Sequence, residues 1–120
     1  MNPAELFRQD SDTVQLKPGE TLFRAGDPAQ DMYVLLEGLA DIVVGDTVVE
    51  TAGMGALLGE MALIDAAPRT ATVQAKTVCR LAKVSPQRFN FLVQQTPFFV
   101  VHVMKVLSDR VRRMNERIAK

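Results

Sequence analysis

Two charges stand in the otherwise small, apolar stretch LGEMALIDAAPRTATV at 58–73: Glu60 directly after Gly59, and Arg69 directly after Pro68. Their types and spacing suit a small phosphate site. Glu60, Met61, Ala62, Leu63 and Ile64 favour a helix, but Asp65 to Pro68 stop it after about one turn. The start of such a turn offers free N–H groups around residues 60–62, a natural anion cradle. Arg69 follows within one loop, and its planar fork matches a phosphate. Thr70 adds a hydroxyl, and Ala71 offers an N–H without bulk. A carboxylate at Glu60 repels phosphate, so it makes sense only if the ligand also carries a hydroxyl donor, as a ribose 2′-OH does. From the charges alone a plainer reading has equal weight: Glu60 favours a helix start and pairs with Arg69 on the surface.

Other reactive residues offer less. His102 is the only histidine and has no partner pattern for a metal or for acid–base work. Cys79 is the only cysteine, so neither an intramolecular disulfide nor a thiolate cluster can form, and its apolar strand predicts burial. No paired carboxylates, triad or metal-ligand spacing suggests an enzyme. Arg110, Arg112, Arg113, Arg117 and Lys120 crowd the C-terminus, where they complement a helix end; contact with nucleic acid is the less ordinary role. Fourteen basic residues balance fourteen acidic ones, so nothing global favours a polyanion or a membrane surface. The N-terminus lacks a secretory pattern, and no apolar run nears the ~18 residues of a membrane helix. The expectation is a cytoplasmic protein that binds neither nucleic acid nor membrane directly.

The elements that must position these residues fall into two textures. At 120 residues the chain suits one domain, 1–120, and its 48% apolar content suits a real core. Pro3 at a first helical position predicts a short N-terminal helix whose Leu6 and Phe7 dock on the body. From about residue 13 to 84, short strands alternate with turn residues. LADIVV and TVVE flank Gly45-Asp46, a type II′ hairpin signal. From Ser85 the pattern is helical, with Ser85-Pro86 and then Thr96-Pro97 as starts, predicting helices at about 86–96 and 97–119. Val100, Met104, Leu107, Val111, Met114 and Ile118 form a heptad-like seam that predicts a parallel homodimer, or else a stripe packed back on the body. The fold class is α+β, mainly β: an antiparallel, jelly-roll-like β-roll with a short N-terminal helix and two C-terminal helices.

The stretch GEMAL, IDAA, PRTAT resembles the phosphate-binding cassette of the cyclic nucleotide-binding domain family. LKPGETLFRAGDPAQDMYVLLEG resembles the first half of that family's roll, and the helices from FNFLVQQTP onward resemble its B and C helices. The resemblance implies a regulatory sensor for a cyclic purine nucleotide, cyclic AMP first and cyclic GMP as alternative, with no metal. It implies Glu60 on the ribose hydroxyl, Arg69 on the cyclic phosphate, and backbone contributions from Leu58, Gly59, Met61, Ala62 and Ala71. Thr70 would reach phosphate or base. Ile42 and Val49 would line the base, with ordinary core packing an equally good role for them. Arg110, Met114 and Asn115 lie where bacterial relatives place lid contacts. Met114 departs from the hydroxyl of catabolite-type regulators and better suits the seam. Ligand entry would reposition the helices after Ser85 and act on an output, here an effector in trans. The initial Met and helix point to a free-standing module over a fragment. Two alternatives stand beside this: a docking or dimerisation module with another ligand or none, and the sensor fragment of a transcription regulator without its DNA-binding domain.

Overall fold

The structure, a computed structural model, describes residues 2–63 and 67–119, with side chains as far as Glu116. The expectations for Ile64, Asp65, Arg117, Ile118 and Lys120 therefore lie outside the described residues. Helix α1, Pro3–Phe7, begins as its sequence suggests: Pro3 sits in the first turn and the Asn2 side chain accepts the Ala4 N–H at 3.0 Å. Phe7 is fully buried, whereas Leu6 stays exposed.

Eight strands follow: β1 (Thr13–Leu16), β2 (Thr21–Phe23), β3 (Met32–Glu37), β4 (Ala40–Val44), β5 (Thr47–Ala52), β6 (Leu57–Leu58), β7 (Thr72–Ala75) and β8 (Cys79–Val84). They form two antiparallel four-stranded sheets, ordered β1-β8-β3-β6 and β2-β7-β4-β5. The β4–β5 turn closes with Val44 opposite Thr47, so the loop is Gly45-Asp46. Gly45 has φ +62°, and no described non-glycine residue has positive φ, as a type II′ turn requires. Between β6 and β7 the described residues include a 3₁₀ turn, Glu60–Leu63. Leu16, Leu35, Leu58, Val73 and Leu81 fill the space within the roll.

Two helices close the chain, α2 (Pro86–Gln95) and α3 (Pro97–Ala119). Ser85 caps α2 by accepting the Arg88 N–H at 3.2 Å. A second core cluster joins roll to helices, with Phe7, Met32, Val34, Leu57, Leu92 and Phe99 among its members. Phe99 meets Phe7 edge-on at 5.6 Å between ring centroids. Arg88 grips the Asp10 carboxylate with both terminal nitrogens and lies over the Phe7 ring, tying α1 to α2.

The buried stripe of α3 differs from the seam read in the sequence. Phe99 and Val103 are buried and Val106 and Leu107 pack beside them, while Met104, Val111 and Met114 remain more than half exposed. At about 100° per residue the Phe99–Val103–Val106–Arg110 stripe runs alongside the seam.

Candidate functional site

A cavity of about 620 Å³ lies between the β2-β7-β4-β5 sheet, residues 58–62 and 67–71, and the second half of α3. Ile42, Val44 and Val49 from β4 and β5 supply one wall, with Val73 of β7 beside them. Leu107, Arg110, Val111, Arg113 and Met114 of α3 supply the opposite wall. Leu58, Gly59, Glu60, Met61 and Ala62 border it at the 3₁₀ turn, and Arg69, Thr70 and Ala71 at the following loop.

Glu60 is 4% exposed, a buried carboxylate that needs a partner. Its partner is Arg110, whose Nη1 donates to Glu60 Oε1 at 2.5 Å. Arg110 also donates from Nη2 to the Leu57 carbonyl at 2.9 Å, and from Nε and Nη2 to the two Glu50 oxygens at 3.3 and 3.2 Å. Arg113 lies 3.7 Å from Glu50. Burial works against the charge of Arg110, but the Glu60 and Glu50 charges and their hydrogen bonds outweigh it, and its pKa is raised. Two carboxylates of the roll thus hold two arginines from successive turns of α3.

Arg69 is held differently. Nη1 donates to the Gly59 carbonyl at 3.2 Å and Nη2 to the Asp31 carbonyl at 2.7 Å. The guanidinium carbon lies 4.0 Å from the centre of the Phe23 ring. Burial lowers its pKa, opposed by the charges of Tyr33, Asp31, Asp27 and Glu60. Its Nε is buried and has no hydrogen-bond partner among the described residues. Gly59, with φ +73°, permits this approach: a Cβ there would lie 2.3 Å from Arg69 Nη1. At the 3₁₀ turn the Ala62 N–H bonds the Gly59 carbonyl at 3.2 Å, so the N–H groups of Glu60 and Met61 precede the first bond of the turn.

Two expectations are corrected by this geometry. The plainer reading paired Glu60 with Arg69 at the surface. Instead Glu60 is buried against Arg110, and Arg69 bonds carbonyl oxygens. Asn115, expected beside the base, lies exposed and outside the cavity lining, one turn beyond Val111 on the same row of α3. Arg110, expected as a lid contact, is engaged by two carboxylates. Leu58, Gly59, Glu60, Met61, Ala62, Arg69, Thr70, Ala71, Ile42, Val49 and Arg110 are brought together at the cavity. Glu50, Phe23 and Asp31 escaped the sequence reading. Only Glu50 left a trace there, as a carboxylate ending the valine run of TVVE.

The sequence profile of the cyclic nucleotide-binding domain matches residues 13–96, the roll and α2. The chain belongs to the cyclic nucleotide-binding domain family. The solved cyclic nucleotide-binding domain from Methylobacillus flagellatus KT shares the fold with a TM-score of 0.77 at 23% identity, over 89% of this chain and 65% of that one. A protein from a cyclic-GMP-dependent signalling pathway that regulates bacterial phytopathogenesis superposes with a TM-score of 0.73 at 27% identity, over 84% of each chain. Among curated proteins, a patatin-like phospholipase domain-containing protein of Caenorhabditis elegans is 34% identical over 88% of this chain. The potassium/sodium hyperpolarization-activated cyclic nucleotide-gated channel 3 of Mus musculus is 30% identical over 84% of it. The chain spans only 8% and 13% of those two relatives, so the likeness is that of one regulatory domain within a larger protein. Among the described residues no group of three or more His, Cys, Asp or Glu side chains could hold a metal.

Proposed function

We propose that this cyclic nucleotide-binding domain senses a 3′,5′-cyclic purine mononucleotide, with cyclic AMP as ligand. The observation that carries the reading is the Arg69 guanidinium at the cavity border. It is anchored by two carbonyls, desolvated, and left with an unpaired buried Nε–H. A singly charged ring phosphate supplies acceptor oxygens for the second N–H that each terminal nitrogen keeps beyond its carbonyl bond. The N–H groups at the start of the 3₁₀ turn add to the same field. Glu60 accepts from Arg110 through Oε1, and among the described residues Oε2 has no hydrogen bond, so it can accept a ribose hydroxyl. The apolar walls suit a purine face. They offer few partners for the extra amino and carbonyl groups of guanine, which favours adenine.

Leu107, Arg110, Val111 and Met114 of α3 form one wall, so a nucleotide contacts roll and helix together. A ligand with such contacts favours one position of α3 over another, and that difference is the signal passed to an effector in trans. The exposed Met104, outside the cavity lining, also supports self-association along α3, with a second copy covering it.

Calorimetric titration with cyclic AMP, cyclic GMP and their 2′-deoxy analogues tests the reading. Cyclic AMP is expected to bind one per chain and more tightly than its 2′-deoxy form. Glu60→Ala should remove that preference, by about 1–3 kcal/mol for a hydrogen bond to a charged group. Equal binding of both sugars to the wild type would overturn the role of Glu60, and no binding of either nucleotide would overturn the function.

A further inference from the structure

Resting on that reading, we propose that Phe23 is a positioning residue for the ligand's phosphate, a π platform that fixes the plane of the Arg69 guanidinium at the cavity. Arg69 Cζ lies 4.0 Å from the Phe23 ring centre, well inside the ~6 Å reach of a cation–π contact. Gly59 borders the edge of this pair, where a Cβ would meet both Arg69 Nη1 at 2.3 Å and Phe23 Cε2 at 3.2 Å. The glycine therefore leaves room for ring and guanidinium to stack against one another. The two terminal nitrogens of Arg69 are pinned to the carbonyls of Gly59 and Asp31. Carbonyl bonds in the guanidinium plane set its direction, and the ring beneath sets its tilt.

Strand β2 is shaped to deliver that ring. Thr21 pairs with Gln74 and Phe23 with Val73, so two steps along β2 match one along β7. The bulge leaves an extra residue on β2 and turns Phe23 toward the cavity that Val73 also lines. In regular pairing Leu22 would stand opposite Val73. The ring is braced in turn by Tyr33, 6.3 Å away between centroids. A π face suits this place better than a carboxylate, because it holds the cation without competing with phosphate for Arg69.

The test replaces Phe23 by mono-, di- and trifluorophenylalanine, which drain the ring's negative face while nearly keeping its shape. Cyclic AMP affinity should fall stepwise, by about twofold for one fluorine and about tenfold for three, the latter equal to ~1.4 kcal/mol. Phe23→Tyr should keep affinity, and Phe23→Leu should lose at least as much as the trifluoro ring. A ring that serves only as packing predicts a flat fluorine series, and that result would overturn the proposal. Should Phe23→Leu not fold, the fluorinated series alone decides. A wild type that binds no cyclic nucleotide would overturn the sensor function itself, whereas wild-type binding with a flat series overturns only the role of Phe23.

Discussion

Replacing Arg110 by Met probes the tie between roll and lid helix. Met retains apolar bulk and removes the charge. Arg110 makes four hydrogen bonds: one to Glu60, two to Glu50 and one to the Leu57 carbonyl. Its loss leaves the Glu60 side chain, 5% exposed, as an unpaired buried carboxylate. Breaking a buried pair costs about 3–5 kcal/mol, and the 22% exposure of Arg110 puts this case near ~3 kcal/mol. For a chain of this size that corresponds to roughly a 10 °C drop in Tm. Glu60→Gln should cost only about 1 kcal/mol, since Arg110 keeps Glu50 and the Leu57 carbonyl. The double variant should cost less than the two combined by about 2 kcal/mol. Urea denaturation of all four proteins measures this coupling. An unaltered midpoint in Arg110→Met, or a coupling below about 0.5 kcal/mol, would refute the buried tie.

Two further outcomes follow from single residues. Burial, with the charge of Lys105 adding to it, holds His102 below its ordinary 6.5. The unfolded chain then takes the proton first, so stability is full above about pH 6.5 and declines as pH falls through that value toward the folded pKa. His102→Gln should flatten this slope in thermal melts, and an unchanged slope would show that another group causes it. Met104, 57% exposed on the uncovered side of α3, should matter for assembly and not for folding. Met104→Asp is expected to sediment as monomer with unchanged Tm where the wild type dimerises, and an undisturbed dimer would place the interface elsewhere.

Much of the fold was legible because its signals are local. Gly45-Asp46 demanded a tight turn, Ser85-Pro86 a helix start, and Pro3 another. Glu60 and Arg69 were legible as a pair of unusual charges in one short segment. What held each of them was not. Arg110 lies fifty positions from Glu60, and the Asp31 carbonyl lies 38 positions from Arg69. Contacts of that span are set by how the sheets and α3 stack. The heptad-like seam was legible, but what covers it was not, for a related reason. Two adjacent stripes of α3 are apolar, and periodicity alone cannot say that Phe99 and Val103 face the core while Met104 faces outward.

In the proposed function Arg69 neutralises the ring phosphate of a cyclic nucleotide at the cavity, and every other role depends on that contact. Titrating wild type and Arg69→Ala side by side with cyclic AMP, with circular dichroism as a check on folding, tests it directly. Saturable one-to-one binding by the wild type, with a loss of at least about a hundredfold in the folded variant, is the predicted result. Equal affinities in two folded proteins would contradict it.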